Sequence, residues 1–144
     1  MNLSENFTLA ELIESQAGRR LNIKEQFSPP LEVVANLRNL CKHILQPLRD
    51  KIGPLKVNSG YRCDRVNVAV GGQTSSQHRI GEAADIEGVE ATNMQVFKAI
   101  QEMNLPFDQL IYEFGTKENP AWVHVSYSPR HRRQILYIPK NLKP

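Results

Sequence analysis

The spacing of apolar residues changes at Gly53-Pro54, and this change restricts the fold more than any other feature of the chain. Before the break, apolar residues recur at steps of three and four, which predicts a long helix with Pro47 near its end. The positions of this stripe are Leu31, Val34, Leu37, Cys41, Ile44, Leu45 and Leu48. After the break, short alternating segments predict strands. Helices followed by clustered strands are typical of an α+β fold.

Two further helices are predicted by their first residues. Thr8 followed by Glu11 has the form of a capping box and predicts a helix over residues 9–15. Thr92 can cap a second amphipathic helix, which we expect to end near Asn104. A polar stretch punctuated by glycines, residues 60–81, is expected to form a functional loop. Strands are predicted over residues 55–59, 83–86, 110–114, 122–127 and 134–138.

The composition indicates an ordinary soluble domain. Hydrophobic residues make up 40% and charged residues 23% of the 144 positions, which argues against a disordered or fibrous chain. We therefore expect one domain over residues 1–144, and a monomer. No apolar stretch approaches the ~20 residues that span a bilayer, so no membrane span is expected. The first residues lack the pattern of a signal peptide, so we expect a cytoplasmic protein as synthesised.

The charge balance is mildly basic. Lys and Arg total 18 against 15 Asp and Glu, and the formal net charge is +3. This excess suits an anionic partner, such as nucleic acid or bacterial cell wall, but names none. The chain has no recognisable nucleic-acid-binding motif, so we expect no nucleic acid partner. The one dense basic cluster, residues 130–133, is either attracted to an anionic wall or a solvated turn.

The two cysteines, Cys41 and Cys63, are 22 positions apart and do not form a C-x-x-C motif. They are too few for a metal site made of cysteines alone. We therefore expect both to be reduced thiols that bind no metal. Cys41 also falls on the apolar helical stripe, which predicts a buried position.

Three residues are candidates for a metal site. His78 and Asp85 are seven positions apart, which is too far on a helix, but a loop turning at Gly81 into a strand lets them converge. His124 lies on the alternating strand. Two His and one Asp would give zinc three protein ligands and leave a position for water, as in catalytic sites. A lone His on a strand is more often a packed core residue, so spacing alone leaves both interpretations open.

Three motifs add a resemblance to a known family. The segment Ser76-x-His78-x-x-Gly81-x-Ala83-x-Asp85 resembles the signature of the zinc D-Ala-D-Ala carboxypeptidase family, peptidase family M15. The segment 122–126, Trp-Val-His-Val-Ser, resembles the strand that carries the second histidine of that family. The segment 59–62, Ser-Gly-Tyr-Arg, resembles its upstream Ser-x-Tyr-Arg element. The segments 7–12 and 107–115 resemble a branch of small single-domain phage and bacterial proteins, so similar motifs run from Phe7 to Tyr127.

The resemblance implies a fold and a set of residue roles. The fold is a small α+β domain in which N-terminal helices pack on an antiparallel sheet that carries zinc, as in hedgehog and DD-peptidase domains. The zinc ligands it implies are His78, Asp85 and His124. It also implies that Arg62 binds the scissile carbonyl or the developing oxyanion, a task that suits a permanently charged guanidinium. Arg62, Ser76 and Trp122 are expected to contact the substrate.

The general base is the point where the chain departs from the family pattern. Better-known members carry an acidic residue three positions before the second histidine, and here that position is Ala121. The carboxylates upstream belong to Glu118, Glu113 and Asp108. Glu113 is our choice, because it lies on a strand candidate and shares a face with Ile111, whereas Glu118 lies in a polar loop. We expect changes at Asp108 and Glu118 to have little effect on the catalytic rate, compared with a change at Glu113.

The resemblance implies a zinc-dependent metallopeptidase that hydrolyses D-amino-acid-containing bonds of peptidoglycan stem peptides. Whether it acts as a carboxypeptidase or as an endopeptidase stays open, because the walls of the pocket decide it. Without a signal peptide, such an enzyme would reach the wall after release by lysis or as a phage component. The alternative is a non-catalytic wall-binding module with a structural zinc, which the missing acid at Ala121 favours.

Overall fold

The computed structural model of the protein describes residues 1–144 and shows an α+β fold, as predicted. The helices are α1 (Leu9–Ile13), α2 (Gln16–Arg20), α3 (Leu31–Leu40), α4 (Gln46–Ile52), α5 (Asp64–Ala69) and α6 (Asn93–Glu102). The strands are β1 (Leu55–Ser59), β2 (Ala83–Gly88), β3 (Gln109–Glu113), β4 (Trp122–Ser126) and β5 (Gln134–Ile138). None of the helices has both the length and the apolar character needed to cross a bilayer.

The five strands form one sheet in the order β1-β2-β4-β3-β5. The first four are antiparallel neighbours, as expected, but β5 pairs with β3 in parallel, so the sheet is mixed. Both edges of β4 are already paired, with β2 and β3. The chain therefore reverses after β4, passes β3 and adds β5 at the open edge, where it runs in the same direction as β3.

The long helix predicted across residues 31–48 is present, but it is not regular. A π-helical turn, Cys41–Leu45, separates α3 from α4. Pro47 comes two residues after this turn, in the first turn of α4. From Leu37 onward the apolar stripe is buried as expected, with Leu37, Ile44 and Leu48 fully inaccessible, but Leu31 at its start is 89% exposed and Val34 is half-buried. The wider turn thus lets one amphipathic face continue past a proline.

Other boundaries differ from the prediction at the first helix and in the glycine-rich stretch. The first helix ends at Ile13, and Ser15 accepts a hydrogen bond from the Gly18 N–H to start α2. Helix α5 lies within the glycine-rich stretch that we expected to be a loop. The predicted cap at Thr92 is present as a full capping box with Gln95.

The two faces of the sheet have different surroundings. One face packs against helices and contributes Ile86, Tyr112 and Val123 to the main hydrophobic core. Phe97 of α6 contacts Tyr112 edge-to-face at a centroid distance of 5.2 Å, which places this helix on that face. Alternation along the strands then directs the polar side chains of β2, β3 and β4 to the other face.

A buried glutamine connects the N-terminal helices to the sheet. The Gln26 side chain is fully inaccessible. Its amide group donates hydrogen bonds to the carbonyls of Ile13, at 2.7 Å, and Tyr61, at 2.9 Å. Its carbonyl accepts one from the Cys63 N–H at 2.9 Å. Buried backbone groups need hydrogen-bond partners, and the Gln26 side chain supplies one to each of these three groups. Gln26 thereby fixes the segment after β1 against α1.

Both cysteines are free thiols, as predicted, and both are buried. Cys41 lies in the π-helical turn and is fully inaccessible. Burial, together with the negative charge of Glu11, raises the pKa of its thiol to about 12.

Gly81 produces the turn that leads into β2. It has a left-handed backbone conformation, φ +79°, and ends a 3₁₀ turn at residues 77–80. A Cβ atom at this position would lie 2.8 Å from the Val33 carbonyl oxygen and 3.2 Å from Leu37 Cγ. Both the backbone conformation and the space therefore require glycine.

We expect Gly81→Ala to destabilise the protein more than Gly71→Ala. Gly71 also has a left-handed conformation, φ +74°, but no atom lies within 4 Å of the point that a Cβ would occupy there. Both variants should lose about 1–2 kcal/mol from the backbone conformation, and Gly81→Ala about 1–3 kcal/mol more from the contact with α3. Urea unfolding of the two variants measures the difference. Equal losses would contradict the close contact.

Candidate metal centre

The strand register brings two of the three predicted ligands side by side. Asp85 of β2 lies directly opposite His124 of β4. Residues in register on adjacent strands point to the same face, so their side chains meet. Asp85 Oδ1 lies 3.0 Å from His124 Nδ1. The alternation predicted for β4 is therefore the feature that positions His124.

His78 reaches the same point from the 3₁₀ turn. Its Nε2 lies 3.3 Å from Asp85 Oδ1, and its ring contacts that of His124 at a centroid distance of 5.1 Å. The three candidate ligand atoms all lie within 4.8 Å of one another. The structure thus brings together His78, Asp85 and His124, as the sequence predicts.

The hydrogen bonding of His78 leaves its Nε2 available to a metal ion. His78 Nδ1 lies 2.6 Å from the Gly60 carbonyl oxygen. A carbonyl can only accept, so Nδ1 carries the proton and Nε2 of the neutral ring carries a lone pair. That Nε2 atom is buried and has no hydrogen-bond partner. It faces a carboxylate oxygen, so a cation between the two acceptors would stabilise the pair.

Asp85 is held in the ionised form that binds metal. Burial by itself raises the pKa of this carboxyl group. The neighbouring imidazoles of His78 and His124, at 3.3 Å and 3.0 Å from its Oδ1, outweigh burial and bring the pKa below its usual range. Two imidazole nitrogens and one carboxylate oxygen are a donor set that suits a divalent transition metal such as zinc.

The segment from Ser59 to Arg62 supports the centre through its backbone. Gly60 supplies the carbonyl that orients His78, and a Cβ atom on Gly60 would lie 2.2 Å from the Leu12 carbonyl oxygen. The Arg62 N–H donates to the His78 carbonyl at 2.9 Å. The motif that the sequence shows at 59–62 is therefore explained by contacts with His78 on one side and α1 on the other.

Glu113 lies beside the three candidate ligands, on β3. It pairs with Trp122 of β4, and the Trp122 indole N–H donates a hydrogen bond to Glu113 Oε2. Burial and the negative charge of Asp85 raise the pKa of Glu113, although His124, Trp122 and Arg62 act in the opposite direction. By contrast, Glu118 is exposed in the following loop. Of the three carboxylates considered as a base, Glu113 has the position to act on this centre.

A cleft of about 690 Å³ opens over these residues. Arg62, Ser76 and Trp122, which we expect to contact substrate, all line it, together with Glu113. This volume is within the range of small-molecule sites. Arg62 is half-buried, and its Nε has no hydrogen-bond partner. Burial lowers the pKa of the guanidinium, against the effect of the charges of Asp85 and Glu113.

Ser76 has a structural contact as well as a place in the cleft. Its hydroxyl accepts a hydrogen bond from the His78 N–H at 3.2 Å and so caps the 3₁₀ turn. The serine of the motif therefore helps to place His78. Its contact with substrate stays a prediction.

Asp108 has a role that sequence reasoning missed. Its side chain is fully inaccessible, and Arg132 binds it through Nε at 3.0 Å and Nη2 at 2.9 Å. It also accepts hydrogen bonds from Ser128 and from Gln77, the neighbour of His78. Of the basic residues near 130, Arg132 is thus bound to Asp108, whereas the Arg130 side chain stays exposed. A change at Asp108 should therefore affect stability, which the sequence did not predict.

Comparison with known proteins agrees with the geometry. A family model described as Peptidase M15 matches residues 5–126. No curated protein matches the chain significantly. The matched region contains the three candidate ligands with Arg62 and Glu113, and it ends before the basic residues 130–133.

We expect one divalent metal ion per chain, bound by His78, Asp85 and His124. His124→Ala removes one of three protein ligands, so metal content should fall from about one equivalent to near zero. Elemental analysis after dialysis against zinc measures this. His43→Ala is the matched control, because His43 is half-buried and stacks on Tyr127 away from the cleft. Full occupancy in His124→Ala would contradict the ligand set.

We expect Asp108→Asn to destabilise the fold by about 3 kcal/mol at pH 7, because it breaks a buried ion pair. Burial raises the pKa of Asp108, but hydrogen bonds from Arg132, Ser128 and Gln77 lower it by a larger amount. The pKa in the folded protein is therefore below the usual range. The stabilisation is therefore present above the unfolded pKa of about 4 and is lost as the pH falls toward the folded pKa. Urea unfolding between pH 3 and pH 7 should show the difference from wild type shrinking at the acidic end.

Glu118→Gln is the control for this series, because the Glu118 side chain is exposed and makes no ion pair. It should differ from wild type by less than about 0.5 kcal/mol. A loss at Asp108→Asn as small as this would show that the buried pair contributes little.

Proposed function

The chain belongs to the Peptidase M15 family, and from this we propose that it is a zinc-dependent peptidase acting on peptidoglycan stem peptides, at bonds that involve D-amino acids. The proposal takes residues 1–144 as a single zinc peptidase domain. The observation that carries it is the juxtaposition in one cleft of a His-Asp-His ligand set with Glu113 and Arg62. A metallopeptidase needs these three components: a metal ion, a proton acceptor and a positive group near the reacting carbonyl.

His78, Asp85 and His124 would hold the zinc ion. Zinc with three protein ligands acts as a Lewis acid and lowers the pKa of a water molecule toward 7. The protein contributes the orientation of these ligands. The Gly60 carbonyl fixes the tautomer of His78, and the β2–β4 register fixes Asp85 against His124.

Glu113 would act as the general base. Trp122 donates to its Oε2, so Oε1 remains free to accept a proton from the attacking water. A base is most effective when its pKa approaches the working pH, and burial moves the pKa of Glu113 in that direction. The same carboxyl group can then donate this proton to the leaving amine.

Arg62 would stabilise negative charge on the carbonyl oxygen of the scissile bond. Its guanidinium lines the cleft and has a buried N–H without a partner. A donor that lacks a partner in the free protein can form its hydrogen bond when substrate is bound. In a half-buried position, such a contact is stronger than it would be in water.

The binding-module alternative depends on the missing acid at Ala121. The Ala121 N–H donates to the Glu113 carbonyl at 3.0 Å, so Glu113 of β3 lies next to Ala121, the residue before β4. A carboxylate is thus available from β3 beside the position where better-known members carry theirs. This observation favours catalysis over a structural zinc. Carboxypeptidase and endopeptidase action both remain compatible with the cleft.

Digestion of purified peptidoglycan tests the proposal. We expect zinc-loaded protein to release new peptide termini, identified by mass spectrometry, and a chelator to abolish them. Glu113→Gln retains shape but cannot accept a proton, so zinc content should be preserved while kcat falls by ~10²–10⁴.

Glu118→Gln is again the matched control and should retain activity. Loss of activity in Glu118→Gln with an active Glu113→Gln would transfer the role of base to the loop. Binding of peptidoglycan by the zinc-loaded wild type without any new termini would support the binding module instead.

A further inference from the structure

The basic loop between β4 and β5 forms one wall of the cleft that holds the candidate metal ligands. Arg130 and Arg132 both line this cleft, together with Arg62. The loop lies beyond residue 126, where the family match ends. The proposed reaction uses Arg62 but assigns nothing to the two other arginines.

Arg132 is occupied by Asp108. Its Nε and Nη2 form a bidentate pair with that carboxylate, and its backbone N–H donates to Asp108 Oδ1 at 2.8 Å. Ser128 and Gln77 donate to Oδ2. Asp108 thus already accepts five hydrogen bonds, whereas a carboxylate offers about four lone-pair sites. It has little capacity for a further donor.

Arg130 is therefore a cation without a strong partner. Its Nη2 lies 3.5 Å from Asp108 Oδ2, which is too long for a good hydrogen bond. No other acceptor contacts its side chain, which is 58% exposed. Its backbone, however, is fixed, because the Arg130 N–H donates to the Ser128 hydroxyl at 3.2 Å.

We propose that Arg130 binds a carboxylate group of the substrate. This rests on the proposed function, and it specifies the substrate as a peptide with a free carboxylate near the scissile bond. A guanidinium offers paired N–H donors that match the geometry of a carboxylate. Of the acidic groups in the cleft, Asp85 faces the metal site and Glu113 is bound by Trp122, so neither competes for Arg130.

Two kinds of peptide carry such a group. In a carboxypeptidase substrate it is the terminal carboxylate, and in an endopeptidase substrate it belongs to an internal acidic residue. The two sources share the chemistry that Arg130 recognises. Peptides that carry only one of the two groups distinguish them, and they also decide which kind of bond the cleft selects.

Trp122 provides a direct measurement of binding, because it is the only tryptophan of the chain and lies in the cleft. The experiment is a stopped-flow fluorescence titration of zinc-loaded protein with synthetic stem peptides, before cleavage proceeds. One pair differs at the C-terminus, as acid or amide. A second pair has an amidated C-terminus and differs at an internal side chain, as acid or amide.

We expect one acid form to bind about tenfold more tightly than its amide, as a charge-assisted hydrogen bond provides. Arg130→Gln should abolish this preference while zinc content and the urea midpoint stay unchanged. Arg20→Gln, an exposed arginine at the end of α2, should retain it.

Equal binding of acid and amide in both pairs would overturn the proposal, and so would a preference that survives in Arg130→Gln. A failure of peptide binding in wild type that still digests peptidoglycan would overturn it as well. Failure of the proposed function has a different result: no digestion, whatever the peptides show.

Discussion

The Asp85 carboxylate, largely buried between two imidazole rings, is the feature on which the centre depends. A buried carboxylate is costly unless it is paired, and His78 and His124 approach it within 3.3 Å and 3.0 Å. Each imidazole is supplied by a different part of the fold. The β2–β4 register brings His124, and the turn at Gly81 brings His78. The strands, the glycine turn and the contact of Gly60 with α1 therefore all serve to surround one charge.

Sequence patterns predicted the elements around the centre where neighbouring residues in the chain determine the local structure. Alternation along β4 predicted the face of His124, and the position of Gly81 predicted the turn after His78. The same reasoning predicted that Glu113 shares a face with Ile111, and the structure places it beside Trp122. The direction of β5 was not predictable in this way, because a strand pattern contains no information about which neighbour is free.

Buried polar contacts between distant segments were also missed. Gln26 binds backbone groups of Ile13, Tyr61 and Cys63, and Asp108 binds Arg132, 24 residues away. In the sequence, each is an ordinary polar residue in a loop or before a strand. Their burial results from tertiary packing, so no periodicity reveals it. Both contacts hold loops that adjoin the cleft, and the positions of Arg62 and Arg130 depend on them.

The state of the two cysteines has a consequence for the surroundings that the protein tolerates. Cys41 and Cys63 are free and buried, and the high pKa of Cys41 keeps its sulfur in the protonated, unreactive form. The fold contains no covalent cross-link, and Cys41 is fully inaccessible. In oxidising surroundings the core around Cys41 therefore keeps its covalent structure, because neither an oxidant nor a second thiol reaches that sulfur in the folded chain.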